Sequence, residues 1–209
     1  MNELATRTLS GVLMIVVALA CLWLGGWAFR LLVIAAALAM AGEWVRLTRN
    51  MTPGLKLFGF PYVLLPLIGL LMLRDAENGI ALTLWTLAIV WATDIGAYFS
   101  GRTLGGPKLA PAISPAKTWS GLLGGMLCAG LVGALIASRT GLPGPCIWLG
   151  APLAVLAQAG DLFESWLKRR AGVKDSGRIL PGHGGALDRL DGVVPVASVM
   201  GLLLWSQLL

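Results

Sequence analysis

Asp161, Glu164, Ser165 and Lys168 fall at i, i+3, i+4 and i+7. In a helix that spacing puts two carboxylates, a hydroxyl and an ammonium on one face. Such a set can hold a metal ion and the phosphate that it carries. Farther on, Asp188 and Asp191 stand one helical turn apart at the head of an apolar run. Acidic residues suit a helix N-terminus, so capping accounts for one of them. Two of them across a loop from Asp161 can instead hold divalent ions that bridge a polyphosphate, the oxygen-rich setting that hard cations take. Between these sets, Pro181-Gly182-His183-Gly184-Gly185 reads as a compact turn whose glycines let backbone approach a ligand, with His183 able to donate to a phosphate or a leaving group. The stretch 160–191 holds the only histidine of the chain, whose whole length carries 10 acidic and 16 basic residues. Five of those acids and six of those bases lie within it. Upstream, Asp94 and Tyr98 sit at i and i+4, followed by Arg102. An aspartate inside an apolar run is costly and needs a partner or a role. The segment 105–119 is too proline-rich for helix and brings Ser114 and Lys117, with Lys108 and Thr118, towards the same end.

The elements that must position these groups are oily. With 57% hydrophobic residues, 12% charged residues and a mean hydropathy of +0.81, the composition departs from that of soluble domains, where about a quarter of residues are charged. Apolar runs lie near 9–24, 31–46, 57–73, 79–100, 119–138, 146–161 and 193–209, close to the length that crosses the hydrocarbon core as a helix. The expected fold is all-α, a polytopic integral membrane protein of about seven transmembrane helices. A single domain spans 1–209, with N-terminal spans in 1–78 and a core in 79–209. The runs are continuously apolar, which excludes a β-barrel. Cys21, Cys128 and Cys146 lie in or beside apolar runs and read as packing residues. Pro61 and Pro66 should kink the third span. In the fifth, Gly121, Gly125, Ala129, Gly133 and Ala137 recur every fourth position and form a face that another helix can approach closely.

With the N-terminus inside, 13 of the 16 basic residues fall in inner segments and only Arg30, Arg74 and Arg139 in outer ones. This bias gives a cytoplasmic N-terminus and places the charged stretch on the cytoplasmic face. It also explains the net charge of +6 without a nucleic-acid partner. No Ser/His/Asp triad, Cys/His zinc site or phosphate-binding Walker loop is present in the sequence. Carboxylates for a metal, with lysines and arginines for phosphates at a membrane face, point to phosphoryl or nucleotidyl transfer onto a lipid.

The run Ser165-Trp166-Leu167-Lys168-Arg169, then Lys174-Asp175-Ser176-Gly177, Leu180-Pro181-Gly182-His183-Gly184-Gly185 and Asp188-Arg189-Leu190-Asp191, resembles the signature of phosphatidate cytidylyltransferases (CDP-diacylglycerol synthases). Asp94 to Arg102, and Ile113-Ser114-Pro115 through Lys117-Thr118-Trp119 to Gly121, resemble that family's second common segment. The likeness is close over about the last 120 residues and only general before them. The chain departs from the pattern at Ala116, Ser120 and Ala186, and its N-terminal half is short by about a helix pair. The resemblance implies transfer of CMP from CTP to phosphatidic acid, with release of pyrophosphate, at the cytoplasmic face of a bacterial inner membrane. It implies Mg2+ as cofactor, held at Asp161 and Asp188 with Asp191 beside them, and leaves room for a second, monovalent cation. Lys168 joins the two aspartates as catalytic. Ser165, Arg169, Lys174, His183, Arg189, Lys117, Ser114, Asp94 and Tyr98 are the expected substrate contacts, and membrane lipids and a homodimer are the further partners allowed. The rival enzyme is a CTP-dependent polyprenol kinase, in which a hydroxyl attacks the γ-phosphorus. A transporter would instead gather its charges near mid-bilayer.

Overall fold

The computed structural model describes residues 3–177, 179 and 184–209, with side chains from residue 8 onward. Its elements are α1 (Glu3–Leu24), α2 (Gly26–Leu47), α3 (Pro53–Asp75), α4 (Gly79–Leu104), β1 (Lys108–Ala110), β2 (Ser114–Thr118), α5 (Trp119–Thr140), α6 (Cys146–Arg170), α7 (Leu187–Leu190) and α8 (Val193–Trp205). Helices α2 to α6 are each long and apolar enough to cross a membrane. The apolar stretch Thr8–Leu24 of α1 and the whole of α8 are shorter. At about 1.5 Å per residue, α8 reaches only about 20 Å, against a hydrocarbon core of about 30 Å. Five of the seven expected spans are thus matched by helices long and apolar enough to cross; α1, at 22 residues, is as long as α2, and α8, at 13, is shorter.

The all-α reading holds, and two details refine it. The proline-rich segment before α5 is not merely a loop. β1 and β2 pair antiparallel, Lys108 opposite Thr118 and Ala110 opposite Ser114, so the fold carries one small hairpin. Proline lacks an N–H and so suits the edge of such a ribbon, where Pro115 lies. The run after Asp188 is also broken: α7 ends at Leu190, and α8 begins only at Val193.

Tight turns join the helices. Gly25 adopts φ 62°, a left-handed conformation that glycine enters without steric cost. A Cβ there would run into the Arg74 guanidinium, whose Nε donates to the Leu22 carbonyl at 2.7 Å. Thr118 caps α5, its hydroxyl accepting from the Gly121 N–H at 3.1 Å, as expected for an N-cap threonine. α3 continues as one helix through Pro61 and Pro66.

The small-residue stripe of α5 is its buried face. A Cβ on Gly125 would stand 2.9 Å from the Thr93 carbonyl of α4, and one on Gly121 would stand 3.0 Å from that of Ala97. The indole of Trp85 donates to the Gly133 carbonyl at 2.9 Å. Lipid is as apolar as leucine, so close packing and interhelical hydrogen bonds of this kind hold such helices together. Trp85, Ile89, Leu153, Val196 and Met200 fill the core between α4, α5, α6 and α8. A second core joins α2, α3, α6, α7 and α8 through Met40, Trp44, Val63, Leu167, Leu187 and Val194. There Trp44, Tyr62 and Phe163 cluster with ring centroids 4.9–6.2 Å apart. The charged groups gather where the ends of α2, α4 and α6 meet the hairpin and the segment leading into α8.

Candidate active site

α6 runs unbroken to Arg170, so Asp161, Glu164, Ser165 and Lys168 do share a helical face. Two charge clusters form around it. In the first, the Lys168 ammonium lies 2.6 Å from Asp188 Oδ1 and 2.9 Å from Glu164 Oε2. Asp188 Oδ2 accepts from the Ser176 N–H at 2.8 Å, the Ser176 hydroxyl at 2.8 Å and the Gly185 N–H at 2.9 Å. Burial alone would raise the Asp188 carboxyl. The Lys168 ammonium and the donors from Gly185 and Ser176 outweigh burial and hold it at about 2. Asp188 is thus a satisfied anion that ties Ser176 and Gly185 to α6.

The second cluster is short of positive charge. The Lys117 ammonium, brought by β2, lies 2.5 Å from Asp161 Oδ2 and donates to Gln158 Oε1 at 2.8 Å. The Ser165 hydroxyl donates to Asp161 Oδ1 at 3.3 Å. Asp191 accepts from the Gly192 N–H at 2.7 Å. Its carboxyl is pushed up to about 7, first by burial and then by the Asp161 carboxylate. The Asp94 carboxylate adds to this, and the Gly192 N–H and Lys117 only partly oppose it. Three carboxylates therefore crowd one ammonium. As the side chains stand, no three His, Cys, Asp or Glu residues among those described converge closely enough to hold a metal. Oxygen donors with an excess of negative charge are the kind of setting that hard cations take. Asp188 and Asp191, three residues apart, serve different clusters, although the backbone keeps helical angles through Asp191 and Gly192 between α7 and α8.

The remaining expected residues are dispersed. Lys174 lines a cleft of about 700 Å³ with Arg46, Arg49, Arg170, Asn50 and Ser176. Arg169 and Arg189 are exposed at the ends of α6 and α7. Ser114 opens β2. Tyr98 accepts from Arg102 at 2.7 Å on the outside of α4. His183 lies outside the described residues.

One residue escaped the sequence reading. Glu43 of α2, with 0% exposure, accepts from the Ala186 N–H at 3.0 Å, the Leu187 N–H at 2.9 Å and the Ser176 hydroxyl at 3.0 Å. The signal was present: an acid within an apolar run, the same cue that marked Asp94.

A family model described as "Cytidylyltransferase family" matches residues 51–207. The chain belongs to the cytidylyltransferase family. Among its relatives is the phosphatidate cytidylyltransferase of Brucella suis, 38% identical over 255 aligned positions that cover 97% of this chain and 93% of that protein. The phosphatidate cytidylyltransferase of Rickettsia bellii is 39% identical over 212 positions, covering 95% of this chain and 90% of that one. The first alignment is well beyond 209 residues long, so the Brucella relative carries inserted segments that this family member lacks, whereas the Rickettsia one nearly matches it in length. Both charge clusters, with the hairpin that brings Lys117, lie inside the matched family segment, and Glu43 lies outside it.

Proposed function

We propose that this chain transfers CMP from CTP to phosphatidic acid, giving CDP-diacylglycerol and pyrophosphate. Family membership and the names of its relatives support the reaction class. The observation that carries the reading is the pairing, at one end of an apolar helical bundle, of a carboxylate-rich cluster with an ion-paired lysine (Asp94, Asp161 and Asp191 beside Lys168 and Asp188).

In the reaction, a phosphate oxygen of phosphatidic acid attacks the α-phosphorus of CTP. A new P–O bond forms to the lipid phosphate, the bond from the α-phosphorus to the bridging oxygen breaks, and pyrophosphate leaves with that electron pair. The nucleophile is already an anion, so no strong base is required, and positioning and charge neutralisation carry the rate. Asp161 and Asp191, with Asp94 beside them, would hold Mg2+, which when bound supplies positive charge to the nucleotide phosphates. Asp188, expected in that set, is engaged by Lys168, Ser176 and Gly185 in the other cluster. Lys117 and Lys168 present ammonium groups to the same region, Lys168 oriented by Asp188 and Glu164. Lys174, Arg46 and Arg49 line the neighbouring basic cleft. The excess of basic residues in segments at this end supports a cytoplasmic orientation in a bacterial inner membrane.

The test is incubation of the purified chain with CTP, Mg2+ and phosphatidic acid, followed by mass identification of the lipid. CDP-diacylglycerol with pyrophosphate is the expected pair. A phosphorylated lipid alcohol with CDP, obtained from a polyprenol, would establish the kinase reading instead.

A further inference from the structure

Glu43 is a carboxylate with no exposure to solvent, and desolvating an anion is expensive unless hydrogen bonds compensate it. Its acceptor contacts all run to one place. Oε1 accepts from Ala186, and Oε2 accepts from Leu187 and Ser176, partners 133 to 144 residues away in sequence. Two glycines let that segment close on it. A Cβ at Gly185 would stand 2.6 Å from either carboxylate oxygen, and one at Gly177 would stand 2.8 Å from the carboxyl carbon. The Ser176 hydroxyl, 3.0 Å from Glu43 Oε2, is also 2.8 Å from Asp188 Oδ2. Its single proton serves one carboxylate at a time. Glu43 and Asp188 are therefore coupled through one hydroxyl, and Asp188 in turn holds the Lys168 ammonium.

We propose that Glu43 is a positioning residue for the transfer reaction: from α2, outside the matched family segment, it fixes Ser176, Ala186 and Leu187 so that Asp188 and Lys168 keep their working geometry. The role rests on the proposed function and adds a residue to it. A neutral side chain could fill the same space, but it could not accept from Ala186, Leu187 and Ser176 together. Glu43→Gln keeps the shape, retains one acceptor oxygen and turns the other position into a donor facing N–H groups.

Glu43→Gln, Ser176→Ala and the double variant would be prepared as the full chain in detergent. The folded fraction would be read by size exclusion and melting, and kcat and KM would be taken per folded molecule. For Glu43→Gln the expected result is a fall in kcat of about ten-fold or more with both KM values within about two-fold, since geometry is lost and binding is retained. The double variant should lose no more than the worse single, because both act along one path. Wild-type kcat per folded molecule, or activity that merely tracks the amount of folded protein, overturns the proposal. If Glu43→Gln does not fold, Ser176→Ala decides: a fall in kcat at unchanged KM supports the coupling, and wild-type kcat overturns it. Should the wild-type chain make no CDP-lipid at all, the proposed function fails first. Hydrogen exchange at Ala186 and Leu187 then still reads Glu43, with about ten-fold faster exchange in Glu43→Gln expected and unchanged exchange overturning its role.

Discussion

Asp191 and Asp188 are three residues apart and carry opposite electrostatics. The folded chain keeps the Asp191 proton up to about pH 7, whereas an unperturbed aspartate releases it near 3.8. Between those values the folded state binds more protons than the unfolded one. The stabilising contribution is therefore complete below about pH 3.8 and lost as pH rises through 7. With a chelator present, melting should occur at a lower temperature at pH 8 than at pH 5.5, and Asp191→Asn should narrow the gap. Added Mg2+ should narrow it in the wild type by compensating the three carboxylates, and equal melting at both pH values without Mg2+ would contradict the crowding. Asp188, held at about 2 by its donors, keeps its contribution down to acid pH. Asp188→Ala leaves the Lys168 ammonium with Glu164 alone and strands two backbone donors, at a cost of about 3 kcal/mol in denaturant unfolding. Asp188→Asn, which keeps the shape, should stay folded in detergent yet release no measurable pyrophosphate, and wild-type turnover would remove Asp188 from the site. Much at this scale was legible, because i, i+3 and i+4 spacing is a local property: Asp161, Ser165 and Lys168 line up as expected on α6. Glu43 was not legible, because its partners come from the far end of the sequence and only folding brings them together.

At the scale of elements, α5 shows how one helix meets two environments. Its small residues pack on α4, while Leu123, Leu127, Leu131 and Leu135, on the same four-residue period, are 58–65% exposed and face outward where lipid would lie. Gly125→Val should push against the Thr93 carbonyl and destabilise the bundle by about 1–3 kcal/mol, whereas Leu127→Ala should change stability by less than about 0.5 kcal/mol. Melting of the two variants in one detergent checks the contrast, and equal losses would mean that the stripe is not a packing face. This face could be read from sequence because a periodic small residue has one structural use in a helix. The split between α7 and α8 could not, since Asp191 and Gly192 keep helical backbone angles and spacing by three reads the same with or without the break in hydrogen bonding. The hairpin of β1 and β2 was hidden for a related reason: prolines exclude helix but do not say what replaces it.

For the whole molecule, the uneven charge makes a topological prediction. In a chain freed of Cys21, Cys128 and Cys146, a cysteine at Arg49 should react with an impermeant reagent only in inverted membrane vesicles, and one at Glu77 only in right-side-out vesicles. Labelling in the opposite sense would reverse the assigned orientation. Composition settled the class of fold, since no soluble core accommodates so much apolar surface, but it could not count the spans, because the last apolar run forms only the 13-residue α8. The N-terminal helix stands apart in this architecture. Leu9, Val12, Leu13, Ile15 and Val16 of α1 are 53–61% exposed, and α1 is tied to α3 near its end, where Arg74 reaches back to the Leu22 carbonyl. Every residue argued above to hold, orient or brace the reacting groups comes from α2 onward. Trimming the protein as far as Trp23 should therefore cost yield and membrane insertion well before it costs turnover, making α1 the natural place for a fusion or an affinity handle.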